Sequence, residues 1–204
     1  MSKQIQELDK KLWVSPSLLE LGHRLFEEIE PRDSMYRVSS FLVGTLKDKP
    51  FEDNSIWISD AVLVLLLTWH NAFFRYGTPD NFHNNFKDFL KENEFLLLKT
   101  TEIAKDKARN IFEKLLNILS IRTGTKKKQI RKSGVGVVKT LHLLRPDFFP
   151  LVDNFIAKTY FEKSNVDLSK FETYWTFKTL VDNQYEWMLK QFDIGEELKI
   201  KNLL

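Results

Sequence analysis

Ser133-Gly134-Val135-Gly136 places two glycines one apolar residue apart in the most basic part of the chain. That spacing lets a backbone turn tightly and keeps side chains off its outer face. The N–H groups of a following helix, at the positive end of its dipole, can then meet a phosphate oxygen. The chemistry offered is anion binding; a helix–helix turn that only packs fits the same residues. The surrounding charge favours the anion. Residues 121–146 hold Arg122, Lys126, Lys127, Lys128, Arg131, Lys132, Lys139 and Arg145 with no Asp or Glu, a charge of +8, whereas residues 1–120 sum to −2 and residues 147–204 to −3. Cations gathered without anions repel one another unless a polyanion offsets them; a solvated basic loop is the alternative. The expected anion contacts are Gly134, Val135, Gly136, Lys126, Lys127, Lys128, Arg131 and Lys132. His142 lies three residues after Lys139 on the same helix, where it can meet a phosphate or Asp153, or serve as an ordinary surface or core histidine.

Two further groups carry chemistry. Asp153 precedes Asn154-Phe155-Ile156 and is placed to cap a helix, a contribution of about 1 kcal/mol. A residue at a helix start can cap and face a cleft at once. Trp69, His70, Asn71, Phe74 and Arg75 mix aromatic and polar groups at the end of an apolar helix, where they can line a base pocket by stacking or simply close the core. His23 and His83 belong to no carboxylate pattern that would hold a metal. No zinc-protease, Walker or nucleophile-elbow motif occurs. The absence of cysteine excludes disulfides, thiolate metal sites and cysteine nucleophiles.

Ile130 to Phe161, reading IRKSGVGVVKTLHLLRPDFFPLVDNFIAKTYF, resembles the hairpin and catalytic-aspartate region of the helix-hairpin-helix DNA glycosylases of the endonuclease III type. Gly134-Val135-Gly136 stands where that family carries its hairpin. Pro150-Leu151-Val152-Asp153 stands where it carries an apolar-valine-aspartate at a helix start. Upstream, Asp106-Lys107-Ala108-Arg109-Asn110-Ile111 is similar to the family's lysine-alanine helix. The resemblance reaches across residues 60–162, with its specific motifs in 130–155. It implies DNA as the partner and hydrolysis of the N-glycosidic bond of a damaged base as the activity. Asp153 would stabilise cationic character at the sugar of a flipped-out nucleotide. It also makes Lys139 a candidate amine for a Schiff base. The family's lysine sits two residues after the second glycine, at the place of Val138. Lys139 follows one residue later, about 100° further round the helix, so it is the amine only if the turn is one residue longer, and a phosphate contact otherwise. Phe155 stands where many members carry histidine. The iron–sulfur cluster of some members is excluded, and no cofactor is expected.

The elements that must position these groups are helical. The 204 residues are 43% apolar and 29% charged, with seven glycines and six prolines, a globular rather than a disordered composition. The longest apolar run, Ala61 to Leu67, is far short of the roughly 20 residues that span a bilayer. No signal peptide is recognisable at Ser2 to Leu12, which predicts a cytoplasmic protein without membrane attachment. Helices are expected over Ser2–Trp13, from Pro16 through Ile29, over Ala61–Arg75 from a start at Ser59-Asp60, and from Asp80 through Leu90. Further helices are expected around Phe95–Leu98 and over Lys105–Ile121, Lys126–Lys132, Val137–Leu144, Asn154–Glu162 and Phe171–Phe192. Arg37–Leu46 is apolar and fits helix or strand, and Lys47–Asn54 has loop composition. The sum is one all-α domain over residues 1–204, of about ten helices, with a helix-hairpin-helix-like element at 126–145. A DNA glycosylase-like protein is the leading functional expectation; a non-catalytic DNA-binding protein and a helical interaction module are the alternatives.

Overall fold

Seven α-helices, one 3₁₀ turn and one β-hairpin make up the described part of this computed structural model. The structure describes residues 17, 33–46, 51–70, 73, 75, 79–97, 102–123, 129–162 and 165–192. In chain order the elements are α1 (Asp33–Leu46), α2 (Phe51–Trp69), α3 (Phe82–Glu92), the 3₁₀ turn (Glu94–Leu97), α4 (Lys105–Ile118), β1 (Ile121–Thr123), β2 (Gln129–Arg131), α5 (Gly134–Leu144), α6 (Asn154–Phe161) and α7 (Phe171–Phe192). The fold is thus mainly helical, with seven helices among the described residues against about ten expected. The helices expected over Ser2–Trp13 and, save for Ser17, from Pro16 through Ile29 lie outside the described residues, as do Lys126, Lys127, Lys128 and Phe74.

Apolar periodicity explains the packing. Phe82, Phe86, Phe89 and Leu90 recur on one face of α3 and are buried together, as are Ala108, Ile111, Phe112, Leu115 and Leu116 of α4. The 61–67 run sits in the middle of α2 and buries Ala61, Val62, Leu65 and Leu66 almost completely. Helix α1 packs along α2, and α5 packs against α1, α2 and α4. Helix α5 is accordingly buried from Gly136 to its end. Stacking of Phe112 on Tyr174 joins α4 to α7, with ring centroids 5.8 Å apart, inside the range that aromatic pairs favour.

Three boundaries differ from expectation for identifiable reasons. Arg37–Leu46 is helical and belongs to α1. Helix α2 begins at Phe51, well before Ser59-Asp60; Ser59 is an interior residue whose hydroxyl donates back to the Ile56 carbonyl at 2.7 Å, a bond that removes it from capping duty. The third difference alters the functional element. Residues 129–131 form a strand paired antiparallel with 121–123, with Ile121 opposite Arg131 and Thr123 opposite Gln129. A helix over Lys126–Lys132 would set Lys127 beside Arg131 and Lys128 beside Lys132 at i,i+4, a like-charge spacing that destabilises helices. The helix-hairpin-helix geometry is not what precedes Gly134: a β-hairpin leads directly into α5, and Gly134-Val135-Gly136 is the first turn of that helix.

Candidate functional site

Ser133 is the pivot between the hairpin and α5. Its Oγ accepts the Gly136 N–H at 3.1 Å, closing the first turn. The same hydroxyl is hydrogen-bonded to His70 Nε2 at 2.7 Å, across 63 residues of sequence. Burial, reinforced by the Lys139 charge and by Arg131, pushes the His70 pKa down to about 4 despite a backbone hydrogen bond that acts the other way. The imidazole is therefore uncharged near neutrality, and its bond to the hydroxyl fixes the cap.

The glycines answer to close packing. Neither adopts a left-handed φ. A Cβ on Gly134 would lie 2.2 Å from the carbonyl carbon and oxygen of Leu168, and one on Gly136 would lie 2.8 Å from Ser133 Oγ and 3.1 Å from the Phe73 ring. The first glycine lets the 165–169 loop lie against the helix start; the second makes room for the cap itself.

Beside this junction lies an open polar cleft of about 430 Å³. Its walls are His70, residues 131–135, Asn154 and Lys158 of α6, and residues 165–169. Arg131, Lys132 and Lys158 are exposed there. Asp167 also borders the cleft, but its Oδ1 accepts the Ser169 hydroxyl at 2.6 Å and the Ser169 N–H at 3.0 Å. These bonds, the hydroxyl first, hold its carboxyl below the usual range, so the cleft carries one carboxylate charge beside its three cations. A second cleft, of about 440 Å³, shares Lys132 and Ser169 and is otherwise lined by α4 and the start of α7.

Farther along α5 the polar groups turn inward. Lys139 is 7% exposed; its ammonium donates to the Trp69 carbonyl and lies 5.4 Å from the centre of the Trp69 ring. His142 is fully enclosed. Its Nδ1–H donates to the Phe149 carbonyl at 2.8 Å, and its Nε2 accepts the Tyr36 hydroxyl at 2.8 Å. Burial lowers its pKa to about 4. Tyr36 stacks on both His142 and Trp69. Arg145 is buried and paired with Asp147, its Nε and Nη2 each 3.0 Å from a carboxylate oxygen.

These positions correct several expectations. His142 meets neither a phosphate nor Asp153, because both ring nitrogens are committed inside the core. Lys139 does not line the cleft, because α5 turns it beneath Trp69. Trp69 is occupied by the Tyr36 stack and the Lys139 ammonium, and of the two residues only His70, held to the Ser133 cap, borders the cleft. Of the cations in 121–146 whose side chains are among the described residues, Lys139 and Arg145 are interior and Arg131 and Lys132 are exposed. Asp153 caps α6 as expected, its Oδ1 accepting the Ile156 N–H at 2.8 Å, and it is Asn154, one residue on, that lines the cleft. The sequence patterns did not single out Asn154 and Lys158, although their i,i+4 spacing places both on one helix face. The role of the 165–169 loop had no signal, since a loop that closes on a glycine far earlier in the chain leaves no local pattern.

Comparison of the chain with protein-family models, curated proteins and solved structures gave no match.

Proposed function

We propose that the protein binds DNA through its phosphate backbone at the cleft beside the start of α5. The observation that carries this is the convergence of Arg131 and Lys132 from the hairpin with Lys158 from α6 around one polar depression. Phosphates draw most of their affinity from such cations through counterion release. Replacing Arg131, Lys132 and Lys158 together by Ala should weaken binding to a DNA duplex and flatten the dependence of log affinity on log salt by roughly 0.9 for each phosphate left without its cation. Lys114→Ala, whose ammonium pairs with Glu92 at 2.6 Å outside the cleft, should leave the slope unchanged. An unaltered slope in the triple variant would sink the proposal.

Base excision is the second reading. It is favoured by the half-buried carboxylate of Asp153 next to Asn154 at the cleft, in the segment that resembles the glycosylase aspartate motif. Asp153→Asn keeps a cap of nearly equal quality, so stability should change by only about a few tenths of a kcal/mol. Base release from duplexes bearing oxidised, alkylated or deaminated bases should slow by orders of magnitude, because the negative charge beside a cationic sugar is gone. Undiminished release by the Asn variant would remove Asp153 from the chemistry, and no release by wild type on any lesion would leave a DNA-binding protein without catalysis. A Schiff base at Lys139 is no part of this activity, since its ammonium is enclosed beneath Trp69.

A further inference from the structure

Helix α6 divides sharply between two environments. Ile156, Ala157, Tyr160 and Phe161 pack on the core, while Asn154 and Lys158 line the cleft. Phe155 lies between them on the outer face and is 77% exposed, more than any other large apolar side chain among the described residues. On a helix, Phe155 and Lys158 at i,i+3 have Cβ atoms about 5–6 Å apart, which makes Phe155 the exposed neighbour of a cation that lines the cleft. Ile130 is comparably exposed, at 70%, yet it alternates with Arg131 along β2 and so points to the other face of the hairpin. Helix packing does not require an aromatic ring at 155, because the core face of α6 is complete without it.

Resting on the DNA-binding reading, we infer that Phe155 is a stacking platform for a base and that the preferred ligand is a single strand or an unpaired stretch of DNA. The flat ring and the cation beside it match the two chemical faces of a nucleotide: Lys158 takes the phosphate and Phe155 the base. Inside a duplex each base face is covered by its neighbours, and only the terminal pairs expose one, so the ring is open chiefly to an unpaired base. Stacking of this kind is tolerant of sequence and depends on the presence of a base. The surface is thereby assigned to nucleic acid rather than to an apolar protein partner by the charge around it, Arg131, Lys132 and Lys158 against the single carboxylate of Asp167.

The test compares wild type, Phe155→Ala and Phe155→Trp by fluorescence anisotropy on three labelled probes of equal length: a single strand, its blunt duplex and an abasic single strand. Phe155→Ala should lose about tenfold in affinity for the single strand, the scale of one stacked base, with little change on the duplex or the abasic strand. Phe155→Trp should restore or exceed wild-type affinity. The thermal midpoint should be the same in all three proteins, because the ring is exposed. Equal losses on all probes, or no loss on the single strand, would overturn the stacking role. If wild type binds the probes with normal salt dependence and Phe155→Ala changes nothing, stacking alone fails; if wild type binds none of them, the DNA-binding reading falls and stacking with it.

Discussion

The two ends of α5 come from one basic stretch of sequence and use their polar groups in opposite ways. At the start, Arg131 and Lys132 face an open cleft and Ser133 organises the first turn. Toward the end, Lys139, His142 and Arg145 are interior, each held by a carbonyl, a hydroxyl or a carboxylate. The first arrangement leaves charge in water, where it is cheap to keep and ready for a ligand. The second removes charge and hydrogen-bonding capacity from water, so each group must be matched by a partner or the fold loses stability. Charge counted along a sequence does not distinguish the two; burial does.

The contrast can be broken most forcefully at His142. His142→Phe keeps a planar ring but removes the nitrogens that bond the Phe149 carbonyl and the Tyr36 hydroxyl, and should cost about 2–4 kcal/mol in urea unfolding. The affinity of the folded variant for DNA should stay at the wild-type level. A large affinity loss without a stability loss would place His142 in the interface and reverse the comparison.

The same residue predicts a pH dependence. In the fold its pKa is lowered to about 4, whereas in the unfolded chain it returns to the ordinary 6.5. Between these values the unfolded chain binds the extra proton, so stability is fully present above about pH 6.5 and falls as the pH drops toward 4. One such shift corresponds to about 3 kcal/mol, and His70 acts in the same direction. The stability curve of His142→Phe, measured from about pH 7 to pH 4, should therefore be flatter than that of wild type. Parallel curves would deny that the buried ring is neutral.

Gly134 sharpens the comparison at the other end. Its Cβ has no room against the Leu168 carbonyl, so Gly134→Ala must push the 165–169 loop outward, at about 1–3 kcal/mol for overpacking. Because that loop is a wall of the cleft, DNA affinity should fall together with stability, unlike the outcome at His142. Smallest for stability are the exposed cations: Lys132→Ala and Lys158→Ala should each shift unfolding by less than about 0.5 kcal/mol while reducing the salt dependence of binding.

Much of the helical scaffold was legible in advance. The i, i+3, i+4 recurrence of Phe82, Phe86, Phe89 and Leu90 and of Ala108, Ile111, Phe112 and Leu115 set α3 and α4, because one apolar stripe must find a core. Asp153 was readable as a cap because a short carboxylate at a helix start satisfies an otherwise unbonded N–H with local atoms only. The exclusion of thiolate chemistry followed from composition alone. What these features share is that their physics is complete within a few residues.

The tertiary structure decided the rest. Three-residue strands at 121–123 and 129–131 carry too short a pattern to be told from a helical turn, and each exists only through pairing with the other. The glycine at 134 is needed because of the Leu168 backbone, and the serine at 133 is fixed by His70; neither partner is near in sequence. Lys158 joins the cleft, and Lys139 leaves it, according to how α6 and α5 pack. Local periodicity specifies which face of a helix is apolar, but the environment of each polar group is set by whatever distant segment arrives beside it, and only the assembled core determines that.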